Sequence, residues 1–309
     1  MAIEIIGTGR AVPINRVSNN DLAAKIDTND EWIRSHTGIG SRHFAEETEA
    51  CSDLAAESAK NALAMAAGYT GGDLAQRDSA AASAAKTIDV IVVATATADY
   101  FGTPSTACVV QHMIGAPQAA AMDITVGCTG FVYGLETAAG LLLAGAQRKR
   151  ALVIGSEILS KMINWDDRGS CVLFGDGAGA VVLEKTENCR ACGCGVSGAD
   201  FGGMDRSGGL LHSILCADGS GAESLVMRRG GSRSPYKKGE VVEKTICIEM
   251  NGQEVYNFAV KAITGTIEAL LKEGNINIDD VARIVPHQAN ARIVQAASKR
   301  LHIPIDNFI

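Results

Sequence analysis

Several short runs of apolar, mostly β-branched residues recur along this chain without polar residues alternating between them. Such runs are typical of strands covered on both faces, and strands of this kind are mostly parallel and lie between layers of helices. The pattern therefore predicts an α/β protein with strands at residues 3–6, 88–95, 150–156, 179–184 and 282–287.

Segments with helical periodicity lie between these runs. Apolar residues recur every three or four positions in Asp53–Ala67 and again in Gly252–Leu271, so that each set falls on one face of a helix. Both segments are therefore predicted to be helices that bury one apolar stripe.

The order of the predicted elements repeats once. In each copy a long helix leads to an apolar strand, a loop, a second helix and a strand-like run, which is DITVGCTGF (123–131) in the first copy and IDNFI (305–309) in the second. We therefore predict two similar halves, residues 1–186 and 187–309. The second half stops before its counterpart of the Gly-Cys-Thr-Gly turn, so we expect it to be truncated at its C-terminus.

Two segments depart from this order. Residues 71–86 are rich in alanine, serine and glycine and are interpreted as a low-complexity surface insertion. Residues 187–239 are rich in glycine, serine, cysteine and arginine, and they are interpreted as an elaborated loop region between the halves.

Composition and charge narrow the class of protein. The net charge of −7 argues against a surface built to bind nucleic acid. Nine cysteines, an odd number in a large chain without a basic and apolar leader, argue against a disulfide scaffold, so a cytoplasmic location is predicted. The longest apolar stretch, Ala138–Ala146, is too short to span a bilayer, and no membrane association is predicted.

Cys128 stands where an apolar run meets a helical pattern. A cysteine at a strand-to-helix turn faces the unpaired N–H groups of the helix start, which favour a thiolate, and a thiolate can accept an acyl group from a thioester. Gly127 and Gly130 let the backbone approach a substrate closely. The alternative is that Cys128 is a small residue that fills a gap in the core.

The segment PHQAN (286–290) follows the predicted strand of the second copy. Because active sites of α/β sheets gather at the carboxyl ends of strands, His287 could polarise a carbonyl oxygen or assist a thiol, and Asn290 could add a hydrogen bond. The alternative is that His287 caps the following helix.

Two other patterns resemble known binding motifs without matching them. GDGAGA (175–180) precedes a strand rather than opening a helix with a lysine, so it is interpreted as close backbone packing rather than a nucleotide loop. Cys189, Cys192 and Cys194 are spaced like metal ligands, with Cys216 or His212 as a possible fourth. The run has no matching second pair, which favours a surface loop of reduced thiols over a metal site.

Five motifs in order resemble those of β-ketoacyl-[acyl-carrier-protein] synthase III, which starts type II fatty-acid synthesis. They are DTNDEWIRSHTGI (27–39), PSTA (104–107), VGCTGF (126–131), DRGSCVLFGDGAGA (167–180) and VPHQAN (285–290). The resemblance runs over the whole chain apart from the two departing segments. It implies a thiolase-like, five-layered αβαβα fold built from two similar halves, which agrees with the internal repeat.

The resemblance also implies a mechanism. Cys128 would take the acyl group from a short acyl-CoA, with acetyl-CoA as the expected primer. His287 would hydrogen-bond the malonyl thioester of malonyl-ACP during decarboxylation and condensation. No metal or redox cofactor is implied. The family also uses an asparagine in a Gly-Asn-Thr-Ser stretch that this sequence lacks, so we expect the chain as written to be a weak or inactive condensing enzyme and the full-length gene product to be active.

The resemblance extends to residues that hold the substrates. Trp32 occupies the position that packs the adenine of CoA, with Thr28 close by. The family commonly has an arginine where this chain has His36, and Arg34 is a candidate to replace it. Lys161 stands where an arginine usually lies near the CoA phosphates. The full set of predicted substrate-binding residues is Thr28, Trp32, Arg34, Lys161, Gln253, Asn290 and Arg292.

Arg292, Lys299 and Arg300 are spaced to lie on one face of the helix after PHQAN. This basic face is predicted to dock the acidic acyl carrier protein, the alternative being a solvated helix face. The family resemblance further implies a homodimer. Two rival functions are an acyl-CoA-primed condensing enzyme of secondary metabolism and a catalytically impaired acyl-CoA-binding or dimer-partner protein.

Overall fold

The computed structural model describes residues 1–187, 209–240 and 247–309. The chain forms two compact units that are discontinuous in sequence. The first comprises Met1–Ile14, Ala45–Ile158 and Asp176–Ser213, and the second comprises Asn15–Phe44, Leu159–Gly175 and Ile214–Ile309. The predicted division at residues 186 and 187 follows chain order and stays a prediction.

The strands and helices of the described residues are numbered in chain order. The strands are β1 (Ala2–Ala11), β2 (Arg16–Ser18), β3 (Ser41–His43), β4 (Val90–Ala94), β5 (Ala120–Ile124), β6 (Arg150–Ile158), β7 (Asp176–Thr186), β8 (Leu225–Val226) and β9 (Glu249–Met250). The α-helices are α1 (Asn19–Ala23), α2 (Asp30–Thr37), α3 (Cys51–Ala66), α4 (Leu74–Ala85), α5 (Thr106–Met113), α6 (Gly130–Ala144), α7 (Gly252–Glu273) and α8 (Ala291–Leu301).

The first unit contains a five-stranded sheet with the order β1-β7-β6-β4-β5. Strand β4 pairs in parallel with β5 and β6, whereas β7 pairs antiparallel with β1 and β6. The sheet is therefore mixed, and the expectation of mostly parallel strands is wrong for its β1–β7 side.

Helices cover both faces of this sheet, as the continuous apolar runs predict. Ile91 and Val93 of β4 pack in one buried cluster with residues of α3, α4 and α5. Their neighbours Val90 and Val92 pack on the opposite face with Leu142 of α6. Because successive side chains of a strand point to opposite faces, β4 is buried along its whole length.

Residues 71–86 are not a low-complexity surface insertion. Helix α4 occupies most of them, and the side chain of Asp73 caps it by accepting a hydrogen bond from the Gln76 backbone N–H (2.8 Å). Ala81 and Ala85 are buried in the core cluster beneath α3. The small side chains let the two helices approach closely, and that requirement explains the alanine-rich composition.

Helix α6 follows β5 and packs on the sheet. By length and composition the stretch Gly127–Ala144 is the one described segment that could cross a membrane, although a core helix meets the same criterion. Ala138 and Leu142 are fully buried against the strands. Most of the apolar stretch considered from the sequence, Ala138–Ala146, therefore belongs to α6, which ends at Ala144 and contributes to the core.

The second unit contains α1, α2, the β2–β3 pair and the helices α7 and α8. Leu22 of α1 and Ile33 of α2 are buried in one cluster with Val172. Helix α7 packs against α8, but its predicted apolar stripe is only partly buried, and 55% of the Phe258 surface is exposed.

The predicted strand at residues 282–287 is reduced to one bridge, in which Ile284 pairs in parallel with Phe308. This bridge flanks α8 in the way that the parallel β4–β5 pair flanks α5. The second copy therefore keeps the order of the first, with much shorter strand pairing.

Candidate active site

Cys128 lies in a single 3-10 turn, Gly127–Thr129, that connects β5 to α6. The strand-to-helix turn predicted from the sequence is therefore present. Gly127 has a φ of +58°, a left-handed conformation that L side chains rarely adopt. A Cβ on Gly130 would lie 3.0 Å from the Cβ of Ala94, so a glycine lets the start of α6 lie against the end of β4.

Neighbouring polar groups fix the turn. The hydroxyl of Thr125 donates to the carbonyl oxygen of Thr95, just beyond β4, over 3.0 Å. The hydroxyl of Thr129 donates to the carbonyl oxygen of Val126 over 3.2 Å. The residues on either side of the cysteine are therefore held by hydrogen bonds, one to the end of β4 and one within the turn.

The Cys128 thiol is exposed, yet burial of the surrounding site raises its pKa above the usual value. Contact with its own backbone N–H lowers the pKa, and the charge of Glu157 raises it further. A helix start by itself is expected to favour the thiolate. In the structure the pKa of Cys128 is raised instead, because desolvation and the nearby Glu157 carboxylate outweigh the backbone N–H.

Glu157 is a residue of this site that the sequence analysis missed. It lies near the end of β6, and its carboxylate accepts hydrogen bonds from the Thr97 hydroxyl (2.7 Å), the Ala96 backbone N–H (2.8 Å) and the Thr95 hydroxyl (3.4 Å). Burial raises the pKa of the Glu157 carboxyl, while these hydrogen bonds lower it. An acidic residue directly after the apolar run of β6 was the available signal.

His287 lies in the second unit, in the loop between Ile284 and α8. Its side chain is accessible to solvent, but enough protein surrounds the ring that burial lowers the pKa of the imidazole. At neutral pH the ring is therefore held in the uncharged form, which carries one N–H donor and one acceptor nitrogen. His287 does not cap α8, because the side chain of Asn290 does so by accepting from the Arg292 backbone N–H (2.8 Å).

Trp32 is the centre of an aromatic and cationic cluster in the second unit. The ring of His36 stacks on it with centroids 4.5 Å apart, and the guanidinium of Arg168 lies 5.0 Å from the ring centroid. Arg34 is bound instead to Asp30, with Nε 2.7 Å from Oδ2. The cation on Trp32 is thus Arg168, which the sequence analysis did not single out, although it lies in the DRGS motif.

Two further predicted residues lie in the same unit. The hydroxyl of Thr28 is buried and has no hydrogen-bond partner within the described part of the chain. Leaving a buried hydroxyl without a partner costs free energy. Lys161 is exposed in a 3-10 helix, Leu159–Met162.

A cleft of about 570 Å³ lies between α7 and α8. Four predicted residues line it, namely Gln253, Asn290, Arg292 and Lys299, together with Gly252, Tyr256, Gln295 and Ala296. Arg292, Lys299 and Arg300 are all exposed on α8, as their spacing predicts. The structure therefore brings the predicted substrate and carrier residues of α7 and α8 to one polar cleft and one basic helix face.

The predicted site residues divide between the two units. Cys128 belongs to the first unit, and all the other predicted residues belong to the second. The cysteines at 189, 192 and 194 lie outside the described residues. Within residues 1–187, 209–240 and 247–309, no group of three or more His, Cys, Asp or Glu side chains could hold a metal ion.

Known proteins resemble this chain over nearly its whole length. A family model for 3-oxoacyl-[acyl-carrier-protein (ACP)] synthase III matches residues 122–200, and the model of its C-terminal part matches residues 271–309. The chain is 44% identical over 306 residues to beta-ketoacyl-[acyl-carrier-protein] synthase III of Clostridium perfringens (strain SM101 / Type A), covering 99% of this chain and 83% of the relative.

Two further matches are also named as synthase III proteins. The synthase III of Caldanaerobacter subterraneus subsp. tengcongensis is 43% identical over 307 residues, covering 99% of this chain and 82% of the relative. The crystal structure of 3-oxoacyl-[acyl-carrier-protein] synthase III from Aquifex aeolicus VF5 matches with a TM-score of 0.78 at 33% identity, covering 99% of this chain and 83% of that one.

Proposed function

This chain belongs to the β-ketoacyl-[acyl-carrier-protein] synthase III family, and from that premise we propose that it catalyses the condensation that initiates fatty-acid synthesis. A short acyl-CoA, with acetyl-CoA as the first choice, supplies the primer, and malonyl-ACP supplies the extending unit. The products are 3-oxoacyl-ACP, CoA and CO₂.

Cys128 is the proposed nucleophile. Its sulfur attacks the thioester carbonyl of acyl-CoA, the bond between that carbonyl and the CoA sulfur breaks, and CoA leaves as the thiol with the proton that Cys128 loses. The exposed thiol at the start of α6 supports this role, because backbone N–H groups at a helix start can stabilise the oxyanion.

His287 is proposed to act in the second stage. Malonyl-ACP loses CO₂, and the electron pair of the broken bond forms an enolate that attacks the acyl carbonyl on Cys128. The bond between that carbonyl and the Cys128 sulfur breaks, 3-oxoacyl-ACP leaves, and the released thiolate takes a proton from solvent. A neutral imidazole can donate its N–H to the malonyl thioester oxygen as this charge develops, and the lowered pKa of His287 supports the neutral form.

The residues around Trp32 are proposed to hold CoA. The ring of Trp32, with Arg168 over it, suits an adenine base, since aromatic and guanidinium groups stack on flat heterocycles. Thr28 offers a buried hydroxyl without a described partner. Lys161 offers a positive charge for phosphate, and Arg34 is the proposed binding residue that the cluster supports least, since Asp30 already holds it.

The carrier protein is proposed to dock on α8. Arg292, Lys299 and Arg300 are exposed there and would attract an acidic partner. The adjacent cleft with Gln253 and Asn290 is of the size that accommodates a small flexible ligand, and the phosphopantetheine arm is the proposed occupant.

The observation that carries the proposal is the exposed Cys128 in the turn between β5 and α6. Incubation with acetyl-CoA, followed by peptide mass spectrometry, should place one acetyl group on Cys128. Cys128→Ala should abolish the adduct, whereas Cys108→Ala, which removes another exposed thiol of the first unit, should leave it unchanged. Tight CoA binding without an adduct on Cys128 would instead support a non-catalytic acyl-CoA-binding protein.

We also propose a homodimer in the cytoplasm. Strand β5 is an edge strand of the described sheet, and an unpaired edge can pair with a second copy of the same strand. Light scattering coupled to size exclusion tests the dimer, and a monomer at micromolar concentration would contradict it.

A further inference from the structure

Glu157 is a partly buried carboxylate that the proposed chemistry does not use. It accepts hydrogen bonds from the Ala96 backbone N–H and the Thr97 hydroxyl, one on each carboxylate oxygen, and from the Thr95 hydroxyl. Burying a carboxylate costs free energy that neutral side chains would avoid. A residue that incurs this cost next to a candidate nucleophile indicates a role in the site.

The residues that Glu157 holds are connected to the cysteine turn. The backbone oxygen of Thr95 accepts the hydroxyl of Thr125 (3.0 Å), three positions before Cys128. Ala94, one position before Thr95, is the residue against which Gly130 packs. The segment 94–97 therefore lies between the carboxylate at the end of β6 and both ends of the turn that presents the thiol, with Thr95 bound to one end and Ala94 packed on the other.

Other titratable groups surround the same segment. The Cys51 sulfur of α3 lies 3.4 Å from the Thr95 hydroxyl and 3.3 Å from the Ser156 carbonyl oxygen. Asp99, in the loop after β4, accepts the Ser52 backbone N–H (2.9 Å). Burial is the main cause that raises the pKa of the Cys51 and Cys128 thiols. The negative charge of Glu157 is a smaller cause that raises both further.

We propose that Glu157 is a positioning residue for Cys128: its carboxylate fixes residues 95–97 against β6, and these residues hold the turn in which the thiol is presented. The inference rests on the proposed function, because it takes Cys128 as the acyl acceptor. It assigns to Glu157 no contact with the substrate.

Two substitutions separate geometry from charge. Glu157→Gln keeps an oxygen for the Ala96 N–H and an amide that can donate to the Thr97 hydroxyl, but it removes the negative charge. Glu157→Ala removes the hydrogen-bonding group and the negative charge together. Glu184→Gln is the matched control, because Glu184 is a half-buried carboxylate paired with Arg150 (2.6 Å) at the opposite end of β6.

Acetyl transfer tests the geometry. The rate at which Cys128 is acetylated by acetyl-CoA should fall at least tenfold in Glu157→Ala, and it should fall by no more than about threefold in Glu157→Gln and Glu184→Gln. Equal acetylation rates in folded Glu157→Ala and wild type would overturn the proposal. So would a tenfold loss in Glu157→Gln that matches Glu157→Ala.

Alkylation tests the charge without any substrate. Iodoacetamide labelling of Cys128 across pH, with exposed Cys108 as the internal reference, should shift to lower pH in Glu157→Gln. Labelling at pH 7.5 should be roughly two- to tenfold faster, because a lower pKa leaves more thiolate. An unchanged profile would show that the Glu157 carboxylate does not act at Cys128, and it would overturn the placement on which the proposal depends. Failure of wild type to be acetylated would refute the proposed function alone, and the alkylation profile would still decide the role of Glu157.

Discussion

The left-handed backbone at Gly127 offers a direct test of the cysteine turn. A Cβ added there would meet no heavy atom within 4 Å, and the φ is +58°. The cost of Gly127→Ala is therefore confined to the backbone, about 1–2 kcal/mol for an L residue in this region. Strain of that size is relieved if the turn changes its conformation, and such a change would move the Cys128 sulfur.

Gly115→Ala is the matched control. Gly115 follows α5 in the same unit, has a φ of +71° and likewise has no heavy atom within 4 Å of an added Cβ. Both variants should lose a similar few degrees of apparent unfolding temperature, about 2–4 °C per kcal/mol.

Only the Gly127 variant should slow the acetylation of Cys128. We expect acetylation of Cys128 to slow about tenfold or more in Gly127→Ala and to stay within about twofold of wild type in Gly115→Ala, since a tenfold change corresponds to about 1.4 kcal/mol. Peptide mass spectrometry over a time course measures both rates. If the two variants are equally stable and acetylated equally fast, the left-handed turn does not position the thiol, and the reasoning is refuted.

Three further predictions follow from other contacts. Gly130→Ala places a Cβ 3.0 Å from that of Ala94, so the start of α6 must shift by a few tenths of an ångström; acetylation should fall, and wild-type rates would contradict the close packing. Because burial lowers the pKa of His287 below 6.5, the stability that it contributes is complete above pH 6.5 and is lost as the pH falls through the lowered pKa. Thermal unfolding from pH 7 to 5 should therefore show a smaller acid loss in His287→Gln, and an identical loss in both proteins would contradict the shift. Arg292→Glu should weaken carrier-protein binding, measured by calorimetry, more at low salt than at high salt, whereas Lys86→Glu on the other unit should not; a salt-independent effect would indicate damage to folding.

The sequence predicted the fold class well. The thiolase-like α/β fold is confirmed by the likeness to solved synthase III structures. Strands β4 and β6 were found because an apolar run without alternation is a direct consequence of burial on both faces. Their pairing partners were not predicted. Strand β7 pairs antiparallel with β6, and the direction of that pairing depends on the path of the chain between the two strands rather than on the local pattern.

The errors have physical causes in particular residues. Alanine and serine in 71–86 are typical of a low-complexity surface insertion by composition, whereas burial of Ala81 and Ala85 depends on the nearby surface of α3. The apolar run ARIV is typical of a strand, but among the described residues only its Ile284 pairs with another segment.

The turn that carries Cys128 was predictable from the sequence, whereas its electrostatics were not. Cys128 could be located because a thiol between glycines at a strand-to-helix junction is a local feature. The direction in which its pKa is shifted depends on desolvation and on Glu157, which is 29 positions away in the sequence. Arg168 was missed for the same reason, since its place above Trp32 depends on contacts between distant segments.

The cluster around Trp32 has a spectroscopic consequence. The chain has two tryptophans, and both Trp32 and Trp165 belong to the second unit. Intrinsic indole emission therefore reports on that unit alone, while far-ultraviolet dichroism reports on both. Denaturation curves recorded by the two signals would coincide only if the two units lose their structure together.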